Sequence, residues 1–357
     1  MNSKTDEQAR RALERLERYL PLRRNQLALP VSLRRFHQQL LRAFPGAGGA
    51  PDSLSGVSAQ QFGQHLSLLI ERGIAVGDAQ GRLTGAYPFT AEARIHKIDC
   101  TLGAARAMCA FDALAISPML GVPVTIHSRC RVSDEPIHIE QHGRELQVKN
   151  EGAVLYAGID WAATDPGLSC SASLCAEMVF ILGEENLSEW HEGDPDNREI
   201  FSLETALELT TALFCPMMSE DVGECEHLSD ADFVSRLEDK SLEGDRFGHR
   251  AHIRLAWLYL RDKSFSSACE DICRNIRAFA ESQGAYDKFH ETLTIASMHV
   301  IRQRMKNSHH NFDDFLLANP ELVTDFVSRI HAHYRAEILA TPAAQAGFVS
   351  PDRLAFV

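Results

Sequence analysis

The sequence predicts an α+β protein in three parts. These are a winged-helix-like N-terminal domain over residues 1–92, an antiparallel-sheet core over 93–219 and an all-α C-terminal bundle over 245–357. Apolar residues recur at helical spacing in the first and last parts and alternate at strand spacing in the middle part. An acidic stretch, SEDVGECEHLSDADF, marks the boundary before the bundle.

The N-terminal part combines helices with a hairpin. VSLRRFHQQLLRAF has helical period, and a Gly/Pro linker follows it. Ser58 is a candidate N-cap for a second helix, AQQFGQHLSLLIERG, which we expect to stop at Gly73. IAVGDAQGRLTGAYPF then predicts a hairpin that turns at Gln80 and Gly81. This order is typical of a winged helix, a module that either binds DNA or packs against its neighbour.

The middle part is a helix laid on an antiparallel meander. MCAFDALAIS reads as a helix whose period is broken by Gly121 and Pro123. Strand patterns follow in PVTIHSRCRV, EPIHIEQHGRELQV and AVLYAGI. GLSCSASLCAEMVFILGEENLSEW then carries two thiols into an apolar run, and SLETALELTTALFCPMM closes the part as a helix.

The third part is predicted to be helical throughout and has its own candidate site. His249 and His252 are three residues apart on one predicted helix, and His290 stands beside Glu291 on another. Helical bundles build metal sites from inward-facing His and Glu, so these four residues are candidates for a bound metal or for catalysis. Ordinary hydrogen-bonded histidines are the alternative. Likewise, Cys269 and Cys273, four residues apart, either chelate a soft metal or pack in the core.

Composition and charge narrow the function classes. A net charge of −13 over 357 residues argues against a nucleic-acid binder, although residues 1–42 hold ten basic and four acidic side chains. That basic arm is either a nucleic-acid patch or a solvated helix face with i,i+4 ion pairs. No apolar stretch reaches membrane-spanning length and the N-terminus lacks a secretory signal, so we expect a cytoplasmic protein, without membrane contact, whose nine cysteines are reduced.

Cys109 and Asp112 share one face of the predicted MCAFDALAIS helix, because they are three residues apart. A buried carboxylate beside a thiol can take its proton and pass it on if the environment brings their pKa values together. A packed cysteine with a helix-capping or hydrogen-bonded aspartate is the structural alternative.

The residues in their wider context resemble the organomercurial (alkylmercury) lyase family over roughly residues 50–215. MCAFDAL matches the family's Cys-Ala-x-Asp helix, Cys130 in IHSRC matches a further core cysteine, and SLCAEMVF matches the segment of the second essential cysteine. The resemblance implies that Cys109 and Cys175 are the thiol pair that binds mercury, that Asp112 carries the proton and that Cys130 is structural.

The resemblance also implies an activity, cleavage of carbon–mercury bonds by protonolysis. No cofactor is required; the substrate is a small organometal, Hg(II) is the product, and low-molecular-weight thiols or a mercury-accepting protein would take it up. Mercury is a soft metal ion, and soft thiolate ligands bind such ions well. Where lyases often have adjacent cysteines this chain has Ala176, and it adds Cys170, of unassigned role, and a helical domain. Three alternatives stay open: a protein that binds or senses a soft metal (Hg or Cu) without turnover, a lyase-fold core used for another small-molecule reaction, and, as the weakest, a DNA-binding regulator.

Overall fold

In a computed structural model of the chain, two compact units are present. The structure describes residues 3–150, 152–218, 225, 228–243, 247–306 and 309–356. Unit 1 comprises Met1–Gln26 and Ser32–Ser219, and unit 2 comprises Leu27–Val31 and Glu220–Val357.

Helices in the first 218 residues precede, interrupt and follow the strands. They are α1 (Ser3–Leu16), α2 (Leu22–Leu27), α3 (Val31–Ala43), α4 (Ala59–Glu71), α5 (Ala110–Leu120), α6 (Glu184–Glu192) and α7 (Leu203–Phe214). Short 3-10 turns occupy Phe44–Gly46, Trp161–Ala163, Cys170–Ala172, Leu174–Glu177 and Cys215–Met218.

Eleven strands form two antiparallel sheets among the described residues of unit 1. They are β1 (Ala75–Gly77), β2 (Leu83–Ala86), β3 (Phe89–Thr90), β4 (Lys97–Cys100), β5 (Gly103–Ala107), β6 (Pro123–Arg129), β7 (Pro136–His142), β8 (Glu145–Val148), β9 (Leu155–Asp160), β10 (Met178–Leu182) and β11 (Arg198–Ser202). The larger sheet has the order β1-β2-β3-β5-β4-β6-β7-β8, and the smaller has the order β10-β9-β11. The predicted α+β class with antiparallel sheets is therefore confirmed.

The region expected to be a winged helix contains its predicted elements. Ser58 caps α4 by accepting a hydrogen bond from the Gln61 N–H, and Gly73 lies in the left-handed region just beyond the helix (φ +64°). β1 and β2 pair as the expected hairpin, and Gly81, with φ +75°, lies in its turn. These strands form one edge of the eight-stranded sheet, which continues past the proposed boundary at residue 92. That these residues form a separate winged-helix domain stays a prediction.

Helix α5 is the buried centre of unit 1. Cys109 caps its beginning, and Gly121, in the left-handed region, ends it where the sequence predicted. Its residues 110–117 and 119 are all buried, as expected of a helix that is apolar on every side. It packs against α7, β6 and β10. Two polar side chains, Asp112 and Ser117, are buried with it, and Ser117 donates to the Val122 carbonyl at 2.7 Å.

Unit 2 is helical in its described part, as predicted. Its helices are Asp230–Glu238, His249–Asp262, Phe265–Ser282, Glu291–Arg302, Phe312–Ala318, Glu321–Thr324, Phe326–His331, Ala336–Leu339 and Pro342–Ala346. FDDFLLANPELVTDFVSRIHAHY forms three short helices. The first ends at Ala318, because Asn319 precedes a proline and leaves the helical region (φ −135°, ψ 57°). Within the described ranges, no helix has the length and apolar character needed to cross a membrane.

Candidate active site

The N-terminus of α5 and the turn before β10 bring two thiols and a carboxylate together. Cys109 is the N-cap residue of α5, with extended backbone, and Asp112 lies in the first turn. Cys175 lies in the 3-10 turn Leu174–Glu177, which leads directly into β10. α5 packs against β10, so the helix and the turn meet although the two cysteines are far apart in the sequence.

The three side chains form one buried cluster. The Cys109 Sγ donates a hydrogen bond to Asp112 Oδ2 at 3.0 Å and accepts one from the Asp112 backbone N–H at 3.3 Å. One potential ligand atom from each of Cys109, Asp112 and Cys175 lies within 4.8 Å of the other two. Their exposed fractions are 1%, 3% and 3%. Among the described residues, no other group of three His, Cys, Asp or Glu side chains has this geometry.

Burial controls the charge of the cluster. Desolvation raises the pKa of Asp112 to about 7, although the hydrogen bond from Cys109 and the charge of Arg94 oppose the rise. Desolvation also raises the pKa of Cys109 to about 12, and the nearby Asp112 charge adds to it. Hydrogen bonds to Cys109 and Cys170, together with burial, raise the pKa of Cys175 well above its usual value. At neutral pH both thiols are therefore protonated, while Asp112 is near its midpoint.

A third thiol and a phenol lie beside the cluster. Cys170 Sγ is 3.4 Å from Cys175 Sγ, and both thiols are buried. The Ser171 N–H donates to the Tyr87 hydroxyl at 3.0 Å. Desolvation, followed by the Cys175 and Cys170 charges, raises the pKa of Tyr87, so this side chain is a neutral neighbour of the thiols.

Arg94 is a positively charged residue that influences the pKa of Asp112. Its guanidinium donates to the Ser171 carbonyl at 3.0 Å and pairs with Glu92 at 3.1 Å. Its charge lowers the pKa of Asp112, against the larger effect of burial. Sequence reasoning did not single out Arg94 or Tyr87. Neither lies in a motif with Cys109 or Cys175, and only the tertiary fold brings them near.

Cys130 lies outside the cluster. Its sulfur accepts a hydrogen bond from the Leu182 N–H at 3.3 Å, which links the end of β6 to the end of β10. Burial raises the pKa of Cys130, but hydrogen bonds from Ser133 and from Leu182 outweigh it and lower the pKa overall. These contacts are compatible with the structural role that the family resemblance implies.

The candidate metal ligands of the helical unit all have other partners. His249 Nε2 lies 2.8 Å from the Leu322 carbonyl, His252 Nδ1 lies 2.9 Å from the Gly248 carbonyl, and His290 Nε2 lies 2.8 Å from the Leu339 carbonyl. Glu291 pairs with Arg277 at 2.7 Å. These contacts do not support a metal site there. Cys269 and Cys273 pack against the apolar core of the unit.

Comparisons with known proteins identify a family match over part of the chain. Residues 89–215 match the family model of the alkylmercury lyases, MerB. No curated protein matches the chain. The solved structure of the mercury-bound form of MerB2 is 21% identical, with a TM-score of 0.39, over 52% of this chain and 98% of that one. The family match spans Cys109, Asp112, Cys130 and Cys175. The chain therefore contains, over residues 89–215, a segment that matches the alkylmercury lyase family.

Proposed function

We propose that this protein cleaves the carbon–mercury bond of organomercurials by protonolysis, with Cys109 and Cys175 as the mercury ligands and Asp112 as the proton carrier. The hydrogen bond from Cys109 Sγ to Asp112 Oδ2, at 3.0 Å, is the observation that carries the proposal. It joins a metal-binding thiol to a carboxyl group whose pKa is about 7, so that group can both accept and return a proton near neutral pH.

The first step loads the metal onto the thiols. An organomercurial reaches the protein as R–Hg–SR′, where SR′ is a small thiolate. Cys109 gives its proton to Asp112 along the existing hydrogen bond, its sulfur bonds to mercury, and R′S⁻ departs. R′S⁻ takes the proton of Cys175 and leaves as R′SH. The Cys175 thiolate then binds mercury as well. Thiolates are required because a protonated thiol is neither the nucleophile nor the ligand.

The second step breaks the carbon–mercury bond. Two thiolates donate electron density to mercury and so make the attached carbon more basic. The proton now on Asp112 passes to that carbon, the bonding electron pair goes to the new C–H bond, and RH leaves. Asp112 returns to the carboxylate, and Hg(II) stays bonded to Cys109 and Cys175. Overall, R–Hg–SR′ and the two cysteine thiols give RH, R′SH and a mercury dithiolate of Cys109 and Cys175.

The product leaves by ligand exchange. Two low-molecular-weight thiols, or the thiols of a protein that accepts mercury, bond to Hg(II) as thiolates, and the protons that they give up pass to the departing Cys109 and Cys175 thiolates. No resident cofactor enters these steps, because the metal arrives with the substrate.

Sequestration of a soft metal without turnover is the second candidate function. The third thiol, Cys170, 3.4 Å from Cys175, favours it, because several sulfur ligands in one place hold a soft ion well. Asp112 separates the two functions. A carboxylate is a poor mercury ligand, so a sequestering site gains little from it, whereas a lyase depends on its proton.

The test uses the purified full chain with phenylmercury and excess thiol, and measures benzene together with bound Hg(II). We expect benzene from wild type and a loss of at least about tenfold in the Asp112→Asn variant, since a positioned acid is worth roughly 10²–10⁴ in rate. Hg(II) binding by this variant should stay near wild type. Cys109→Ser and Cys175→Ser should each abolish turnover and Hg(II) retention, without further loss in the double variant.

Cys100→Ser is the matched control, because this half-buried cysteine lies outside the cluster. It should behave like wild type in both measurements. Near-normal turnover in either single cluster-cysteine variant would contradict the thiol-pair assignment. Tight Hg(II) binding by wild type without any benzene would replace the lyase by a sequestering protein.

A further inference from the structure

We propose that the helical unit contains a second binding site, for a small, largely apolar molecule that carries a hydroxyl group. The site is a cavity of about 390 Å³ whose lining includes His249, His252 and His290. All residues of its lining belong to unit 2. The volume is within the usual range of small-molecule pockets, roughly 300–1,000 Å³.

The walls of the cavity are mainly apolar. They are formed by side chains of the helices His249–Asp262, Phe265–Ser282 and Glu291–Arg302, with Phe326 from a fourth helix. Ile253, Ile272 and Leu293 are among the lining residues. A ligand that fills this space must therefore have an apolar body.

Two histidines of the lining each have a ring nitrogen that is still available as an acceptor. A backbone carbonyl can only accept, so the nitrogen that faces it must carry the proton. His249 therefore donates from Nε2 to Leu322, and His252 donates from Nδ1 to Gly248. In the neutral rings the opposite nitrogens, His249 Nδ1 and His252 Nε2, carry lone pairs. Within the described residues neither has a hydrogen-bond donor. Burial lowers the pKa of His252, which keeps its ring neutral.

Two hydroxyl groups of the lining are acceptors for the same reason. Thr294 Oγ1 donates its hydrogen to the His290 carbonyl at 3.0 Å, and Ser297 Oγ donates to the Leu293 carbonyl at 2.7 Å. Their lone pairs remain. His290 differs from the other two histidines, because Nε2 donates to Leu339 and Nδ1 accepts from the Leu293 N–H at 3.2 Å. Both nitrogens of the His290 ring therefore already have hydrogen-bond partners within the protein.

The ligand class follows from this inventory. The lone pairs of His252, Thr294 and Ser297 on the helix walls require a hydrogen-bond donor on the bound molecule. Lys288, the cation of the lining, is exposed, so its ammonium group is solvated. A phenol or an apolar alcohol has the required combination of an apolar body and an O–H donor. The site is separate from the mercury chemistry of unit 1 and does not depend on it.

The test compares phenol with toluene, which has nearly the same shape but no donor, by ligand-observed NMR on the full chain. We expect wild type to bind phenol more tightly than toluene, and phenol to shift the ring-proton signal of His252. His252→Phe keeps a ring beside Phe247, whose centroid lies 4.2 Å away, but removes the acceptor. It should weaken phenol binding about 2- to 10-fold, as for one neutral hydrogen bond, and leave toluene binding unchanged.

One further variant is a control, and a second replaces His252→Phe if that variant does not fold. His310→Phe, the same change at an exposed histidine outside the lining, should leave both ligands unaffected. If His252→Phe does not fold, Ser297→Ala removes an acceptor by deleting one atom and should lower phenol affinity by a similar factor. Equal binding of phenol and toluene, or no binding of either, would overturn the proposal. Stoichiometric zinc binding that is lost in His252→Phe would also overturn it, in favour of a metal site.

Discussion

At the scale of single residues, Asp112 is a buried carboxyl group whose environment disfavours its charged form. A carboxyl group that is 3% exposed inside an apolar helix loses the hydration of its charged form. The protein tolerates this cost because Cys109 donates a hydrogen bond to it and Arg94 contributes a positive charge. The same desolvation raises the pKa of Asp112 to about 7, so the carboxyl group can accept and donate a proton near neutral pH.

The raised pKa of Asp112 makes stability depend on pH. The native state holds a proton on Asp112 up to about pH 7, whereas the unfolded chain loses it near the usual value of 3.8. Ionisation therefore costs the native state stability as pH rises from about 4 to 7, by up to about 4 kcal/mol. We expect Asp112→Asn, which cannot ionise, to become more stable relative to wild type across this window. Denaturant unfolding at several pH values measures the difference.

The slope with pH, not the absolute stability, is the diagnostic quantity, because asparagine also changes the hydrogen bond to Cys109. Asp52→Asn, at an exposed position, should show no such slope. A difference between Asp112→Asn and wild type that stays constant from pH 4 to 7 would show that Asp112 is ionised throughout that range.

Cys170 gives a prediction about product release. Its sulfur is 3.4 Å from Cys175 Sγ, close enough to share a mercury ion during exchange. Exchange proceeds by attack of a thiolate on the bound centre, so a third sulfur provides an intermediate ligand. We expect Cys170→Ser to slow transfer of Hg(II) to an external dithiol several-fold in stopped-flow measurements, while single-turnover benzene formation stays near wild type. Unchanged transfer would remove Cys170 from the release path.

At the scale of elements, the N-terminus of α5 combines a helix cap with a reactive group. The Cys109 sulfur accepts the hydrogen bond of the Asp112 N–H, which would otherwise lack a partner within the helix. The residue that would bind mercury therefore also helps to fix where the helix begins. This arrangement holds the thiol and the carboxylate in one geometry before any substrate arrives.

Serine and alanine at position 109 should separate these two roles. Both substitutions remove the thiol, and we expect both to abolish turnover. Serine keeps a capping oxygen, whereas alanine does not, so Cys109→Ala should be less stable than Cys109→Ser by about 1 kcal/mol. Thermal or denaturant unfolding of the two variants measures this difference. Equal stability would mean that a side-chain acceptor at position 109 does not stabilise the start of α5.

At the scale of the whole molecule, charge bears on the possibility of DNA binding. The net charge is −13, although residues 1–42 hold ten basic and four acidic side chains. In the structure Arg10 pairs with Glu14 at an i,i+4 spacing, so part of this basic arm is a solvated helix face. Binding to DNA depends on neutralising phosphates and weakens steeply with salt.

We therefore expect no salt-dependent retardation of duplex DNA by the full chain in a mobility-shift assay between 50 and 200 mM salt. A basic winged-helix protein run beside it provides the positive control. Retardation at low salt that disappears at higher salt would restore the regulatory alternative and assign the N-terminal helices to it.

Local sequence determined many of the individual helices and strands, and it determined the proximity of Cys109 and Asp112 in the site. Ser58 and Gly121 signal helix boundaries by capping and by backbone conformation, which depend on neighbours within a few residues. Cys109 caps α5 and Asp112 lies in its first turn, so their spacing of three residues brings them together, although through capping and not through one helix face as predicted. The short strands β3, β4 and β5 were missed, because small and polar residues weaken their alternation; in β4 only Ile98 is buried.

Only the tertiary structure decided how the distant parts meet. Cys175, Cys170, Arg94 and Tyr87 reach the cluster through the packing of β10 and its preceding turns against α5, and spacing along the chain carries no such information. For the histidines of the helical unit, too, spacing along the chain did not show which groups they contact. Sequence grouped them as metal candidates, whereas the carbonyls of Leu322, Gly248 and Leu339 fix which nitrogen carries the proton. Pairing with residues far along the chain sets the charge and tautomer of a side chain, and therefore its chemistry.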